Sequence, residues 1–185
     1  AVGDVVVNFE KAAIIIGGTN GINVLNDVHK FDLASRTWTN LDIPLAGGGR
    51  YAHRAQLAKV NYVDSGVTSV KRILVILGGK DSSGASVGRV ELLMLLSRDI
   101  THAQVGEDVG NPFTNGVIGC CNFMFKWFAA RGYVFGRDST DRGMLYLLEM
   151  QYDVADNVFN AIWSTSSADS SSSLMLPQVA LTSSA

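Results

Sequence analysis

Apolar positions along this chain come in short runs broken by glycine, asparagine, aspartate and serine. No stripe with helical spacing persists for ten residues, and Val, Ile, Thr and aromatic side chains crowd the runs. The pattern predicts strands throughout. Residues 5–8 read as a short strand, with a turn at Phe9-Glu10. Residues 12–16 follow as a second strand, apolar at every position and therefore expected to be buried on both faces. Gly17-Gly18 end it, and a polar loop runs from Thr19 to Asn26. Residues 28–33 alternate, with His29, Phe31 and Leu33 on one side and Val28, Lys30 and Asp32 on the other. Residues 34–37 fit a hairpin turn. Trp38 to Leu41 then make a short closing strand, whose indole covers the strand beside it.

This four-stranded meander repeats. Lys71 to Gly79 (KRILVILGG) is again an apolar strand ending in two glycines, followed by the loop Lys80 to Gly88 and the apolar run Val90 to Leu95. A third copy reads Trp127 to Arg137 as its strand, with Gly136-Arg137 where the double glycine stood. The loop 138–143, a strand over 144–152, a turn over 153–157 and Trp163 complete it. Residues 60–70 are expected to be a long hairpin loop within the second unit. Residues 97–115 are expected to hold that unit's fourth strand and a connection. The units therefore span 1–45, 46–105 and 106–163. The remainder, 164–185, begins with a stretch in which seven of ten residues are Ser, the composition of a linker. Its end, Leu174 to Leu181, reads as the first strand of a further unit.

Composition narrows the function classes. The chain has 185 residues, 47% hydrophobic and 17% charged, with a net charge of −2, enough for a substantial core. Its fifteen Lys and Arg are scattered, which argues against the clustered basic face of a nucleic-acid binder. No apolar run reaches the length of a membrane span. The start has no signal-peptide pattern, so a processed protein or a piece of a longer one is expected. Cys120 and Cys121 are adjacent, which suits no disulfide framework, and no N-x-[ST] acceptor occurs. Both features point to a reducing compartment, with a cytoplasmic location as the expectation.

The order of features in unit one resembles the kelch repeat. Gly17-Gly18, the Asn26-Asp27 approach, Phe31-Asp32, Trp38, Pro44 and Arg50-x-x-His53 occur in sequence. Unit two keeps Gly78 and Gly79 but lacks the aromatic-Asp pair and the Trp. Unit three keeps Gly136, Asp153 and Trp163. The resemblance implies an all-β fold of kelch-type β-propeller blades, each a four-stranded antiparallel meander. Propellers close with roughly four to eight blades, so three units imply an incomplete wheel, completed by missing blades or by other chains.

Candidate chemistry is sparse. His29, His53 and His102 lie apart without metal-ligand spacing; His29 is expected to pack or pair on its strand and His53 to be structural. Gly47 to Arg50 lacks the Lys and Ser/Thr of a phosphate loop, and no nucleophile elbow is present. The ligand sets of kelch-like copper-radical and iron-dependent enzymes are likewise absent, so no metal or other cofactor is expected. The run Arg137 to Arg142 is a binding loop or a solvated, self-paired hairpin. Phe123, Phe125, Trp127 and Phe128 are expected to be buried strand residues. What the resemblance implies is a non-catalytic protein-binding or scaffolding module. Partners would dock on the loops after the glycines and between blades, here 19–26, 80–88, 138–142 and 47–51. Within these, Asn20, Asn23, Asp81, Ser82, Asp138, Asp141 and Arg142 are the candidate contacts. The alternatives are a structural subunit held by its blade edges and a secreted carbohydrate-active or metal-dependent enzyme.

Overall fold

The computed structural model describes residues 4–9, 12–96, 99–114, 118, 123–137, 140 and 142–166, and it contains strands and no helix among them. Accordingly, no helix there is long and apolar enough to cross a membrane. Among the described residues, thirteen strands form three sheets. Sheet one is the meander β1 (Asp4–Phe9), β2 (Ala12–Thr19), β3 (Val24–Asp32) and β4 (Thr37–Asn40). Sheet two is the meander β5 (Arg54–Asp64), β6 (Val67–Leu77), β7 (Glu91–Leu95) and β8 (Ile100–Ala103). Sheet three is built from β10 (Met124–Phe128), β11 (Arg131–Arg137), β12 (Gly143–Asp153) and β13 (Val158–Ser166), with β9 (Val105–Val109) added beside β13. These are blade-like units, and they do not close into a ring.

Strand alternation explains why the sheets stack. On β6, Leu74 and Ile76 face sheet one, while Ile73, Val75 and Leu77 face sheet three; all five are fully buried. Ile14, Ile16 and Val28 of sheet one meet the first pair, with Leu93 and Leu95 completing that layer. Val134, Leu148, Phe159 and Trp163 of sheet three meet the other set. Among the described residues, sheet two is covered on both sides. Strand β2 has the same all-apolar sequence over 12–16, but there only Ala12, Ile14 and Ile16 are fully buried; Ala13 and Ile15, on the opposite face, are partly exposed. The expectation of burial on both faces is therefore met by β6 and not by β2.

Further expectations need correcting. Residues 60–70 are not a loop: β5 and β6 stay paired to Asp64–Val67, closed by Ser65-Gly66 at φ 49° and 82°. Both angles are positive, which gives the twist that a tight two-residue hairpin requires. Residues 127–137 are two strands, not one, because Ala129 turns the chain at φ 54°. Phe123 and Phe125 are buried and Trp127 half-buried, but Phe128 is 74% exposed. Finally, the connection after β8 is itself a strand. β9 pairs in parallel with β13, so the chain leaves the edge of sheet two and lies on the edge of sheet three. A hydrogen bond of 2.8 Å from Trp163 Nε1 to Asp108 Oδ1 fixes that crossing, and Asn111 Nδ2 donates to the Gly88 carbonyl at 2.7 Å. The expected Ser-rich linker also begins as strand, since β13 runs to Ser166. Cys120, Cys121 and the segment 174–181 lie outside the described residues.

Candidate functional site

The double glycines shape one surface. Gly17 and Gly18 have φ of 51° and 104°, and Gly78 and Gly79 have φ of 62° and 92°. Such angles let a strand end turn sharply where a side chain would be strained. The register slips between Ile16 and Gly18, a bulge that turns the Gly18 N–H onto the Arg50 carbonyl at 2.8 Å. The linker between sheets one and two is thereby sewn to both. The Leu45 N–H donates to the Asn26 carbonyl at 2.6 Å and the Arg50 N–H to the Leu25 carbonyl at 3.2 Å. Tyr51 and Lys80 exchange backbone bonds at 3.0 and 2.9 Å. The expected loop 19–26 is shorter, a turn over 20–23, because β2 runs to Thr19 and β3 begins at Val24; the start of β3, the linker 45–51 and the loop 80–88 consequently form one continuous platform. Gly136, by contrast, lies within β11 with no positive φ.

An ion pair lies beneath this platform. Arg50 is fully buried, and its Nη2 donates to Glu91 Oε2 at 2.7 Å. Its Nη1 also approaches the carbonyls of Gly78 (3.4 Å) and Arg89 (3.5 Å). Glu91 Oε1 accepts the Ala46 N–H at 2.6 Å and lies 3.9 Å from His102 Nε2. Burial holds the Arg50 pKa below the ordinary guanidinium value, while the Glu91 carboxylate opposes that shift. The pair joins linker, β6 end and β7 at one point.

His53 sits beside it, buried, with neither ring nitrogen hydrogen-bonded. Burial, then the charges of Arg50 and Arg54, push its pKa down from 6.5 to about 4; the carbonyls of Arg50 and Ile16 pull the other way. The unfolded chain therefore binds this proton more readily than the folded one. Stability from neutral His53 is complete above pH 6.5 and is lost as pH falls towards 4, a change on the order of 3 kcal/mol. Urea unfolding at pH 7 and pH 4.5 is expected to show this loss in the native chain. His53→Gln is expected to flatten it; an unchanged pH slope in that variant would refute the assignment.

The candidate contact residues divide into two kinds. Asn20 Oδ1 accepts the N–H groups of Ile22 (3.0 Å) and Asn23 (2.7 Å). Asp81 Oδ1 accepts the Ser83 N–H (2.8 Å), the Ser83 hydroxyl (2.6 Å) and the Ala85 N–H (3.0 Å). These bonds hold the Asp81 carboxyl below its usual pKa, the Ser83 hydroxyl contributing most. Both residues shape their loops. Asn23 and Ser82 are exposed, and among the described residues neither side chain takes part in a hydrogen bond. Arg142 is exposed, with its Nε donating to the Thr140 hydroxyl at 2.9 Å. Asp138 and Asp141 lie outside the described residues, so the third loop is not placed against the other two. Of the remaining kelch positions, Trp38 packs on Phe31 at 4.8 Å, and Asp32 and Asp153 each accept backbone N–H groups of the turn that follows. His29 bonds Asp27 at 2.7 Å.

Two features escaped the sequence reading. Ile22 stands 90% exposed at the tip of the first loop, and a lone apolar residue within TNGINVLN was the signal for it. Glu91 is the single charge in the apolar run 90–95, a position that demands a buried partner. Beside it, a cleft of about 470 Å³ is lined by Ala46, Arg89, Glu91, His102, Gln104 and Asp108, among others. Among the described residues no group of three or more His, Cys, Asp or Glu is placed to hold a metal ion.

No curated protein matches the chain. The family model described as the Kelch motif matches residues 6–42. That segment covers most of sheet one, from within β1 to just past β4. The chain thus carries a kelch motif, folded as the first of three blade-like β-sheets.

Proposed function

We propose that this chain is a protein-interaction module that works by binding rather than catalysis, through the platform made by the β2–β3 turn and the start of β3, the linker 45–51 and the loop 80–88. The observation that carries the reading is the bonded continuity of those three segments, with Ile22 projecting from their surface. A rigid platform with an exposed apolar tip and polar surroundings suits a protein partner, because little loop entropy is lost on docking. Kelch motifs typically mediate such interactions, which supports the same reading.

Substitution of Ile22→Asp, Asn23→Ala and Ser82→Arg together tests it, since none of these side chains holds a loop in shape. Affinity capture from the source cell followed by titration with the captured partner is expected to show binding weakened at least about thirtyfold. Val63→Ser, at the distant tip of the β5–β6 hairpin, is expected to leave it unchanged. Equal binding by the triple variant would overturn the reading.

A further inference from the structure

The strands of sheet two do not end together. β5 and β6 stay paired out to Asp64 and Val67, but β7 meets β6 only from Ile73 opposite Met94 to Ile76 opposite Glu91. Beyond Leu95 the chain turns back, with the Leu96 N–H donating to the Asp99 carbonyl at 2.8 Å. Residues 67–72 therefore have β5 on one side and, among the described residues, no strand on the other. In an antiparallel ladder, alternate residues turn their N–H and C=O groups away from the partner strand. β6 consequently presents such groups along roughly 20 Å of edge.

One face of this two-stranded ribbon holds it in place. Tyr62 packs edge-on against Tyr152 of sheet three, with ring centroids 5.0 Å apart, and Lys71 Nζ stands 4.2 Å from the Tyr152 centroid. A backbone already fixed in extended form loses little entropy when a further strand joins it. The opposite face sets the chemistry of that strand. It carries Lys59 directly opposite Arg72, then Asn61 opposite Val70, and all four are exposed. Like charges in register repel each other, and among the described residues neither Lys59 nor Arg72 enters an ion pair. Lys59, Lys71 and Arg72 stand against one carboxylate, Asp64, so residues 59–72 carry a charge of +2 in a chain of net −2. Asp64 sits at the tip and accepts the Ser65 hydroxyl at 3.1 Å. Basic side chains on a free edge discourage pairing with a second copy, which brings the same charges. They favour a strand that bears carboxylates.

We infer that residues 67–72 of β6 receive an extended acidic segment of a partner protein as an added strand. The backbone of that segment bonds to the free edge, and its Asp or Glu side chains lie over Arg72, with Lys59 adding to the positive field. Val70, 53% exposed, gives it an apolar contact. Main-chain bonds supply the affinity and the basic pair the specificity. The edge lies at the end of β6 remote from Gly78 and Gly79, so this surface and the platform stand or fall separately.

The experiment is fluorescence anisotropy at low salt with end-blocked peptides about eight residues long, enough to span the edge. One alternates valine and glutamate, one alternates valine and lysine, and the third is the glutamate peptide N-methylated at every residue. The glutamate peptide is expected to bind at least about tenfold more tightly than either of the others. In the double variant Lys59→Glu, Arg72→Glu the preference is expected to reverse, with the lysine peptide bound more tightly than by the wild type. A misfolded variant would gain no such binding. The platform variant Ile22→Asp, Asn23→Ala, Ser82→Arg is expected to bind the glutamate peptide as the wild type does, so failure of one surface is distinguished from failure of the other. Equal binding of the glutamate and lysine peptides, or binding of neither, would overturn the inference. Undiminished binding of the N-methylated peptide would overturn it too, by showing contact through charge alone. A wild type that self-associates through Lys59 and Arg72 would assign the edge to a second copy and overturn it likewise.

Discussion

Glu91→Ala is expected to destabilise the folded chain by about 3–5 kcal/mol, because it leaves the Arg50 guanidinium buried without its counter-charge. The exposed pair Arg131–Glu149, with the same 2.7 Å separation, is the comparison: Glu149→Ala is expected to cost no more than about 1 kcal/mol. The two pairs differ in solvation. Arg50 and Glu91 are 0% and 6% exposed, so water cannot replace either partner. Glu91 also accepts the Ala46 N–H, so its removal loosens the linker as well. Replacing both charges, Arg50→Met with Glu91→Leu, is expected to recover most of the loss, since apolar residues of similar volume avoid the desolvation penalty. Urea unfolding of the wild type and these three variants gives all of these values. A Glu91→Ala cost equal to that of Glu149→Ala would show that Arg50 finds water or another partner.

Gly79→Ala should be nearly as damaging, at about 2–5 kcal/mol, for two separable reasons. At φ 92° an L side chain is strained by about 1–2 kcal/mol. A Cβ there would also lie 2.7 Å from the Tyr51 carbonyl and 2.9 Å from the His53 Cβ, neither of which can move without opening the linker. Gly84→Ala isolates the first reason: its φ is 82°, but the space around it is open. The difference in thermal unfolding between the two variants therefore measures how tightly linker and sheet are pressed together. Equal effects would mean that the linker yields freely.

The sequence announced the strands wherever period-two alternation or an unbroken apolar run met a glycine. That is why β12 was legible almost to its ends, and the apolar stretches of β2, β3 and β6 were legible although β3 and β6 begin four residues earlier than read. The hairpin over residues 60–70 was not, because NYVDSGVT mixes polar residues into a strand that projects past the core, where no buried face imposes alternation. β9 was harder still. VGEDV has two acidic residues and a glycine, and it pairs only because Asn160 accepts the Glu107 N–H and Trp163 reaches Asp108 across more than fifty residues. No local pattern encodes such a partner. Phe128 shows the opposite failure: an aromatic residue in an apolar run reads as buried, but strand alternation turns it outward. At the candidate site, the glycine pairs and Arg50-x-x-His53 were legible as a motif. Their joint role depended on Glu91, which belongs to the next unit and enters only through the fold.

The parallel seat of β9 against β13 also bears on how the chain assembles. β9 precedes every other strand of its sheet in sequence, and Val105 pairs with Phe159 of β13, the strand of that sheet farthest along the chain. During synthesis it must wait, unpaired, until the whole meander from β10 to β13 has been made. Long-range parallel pairing is slow because the loop it closes must be ordered first. Closing this sheet is then a late step, and it draws on a strand anchored in the sheet before it.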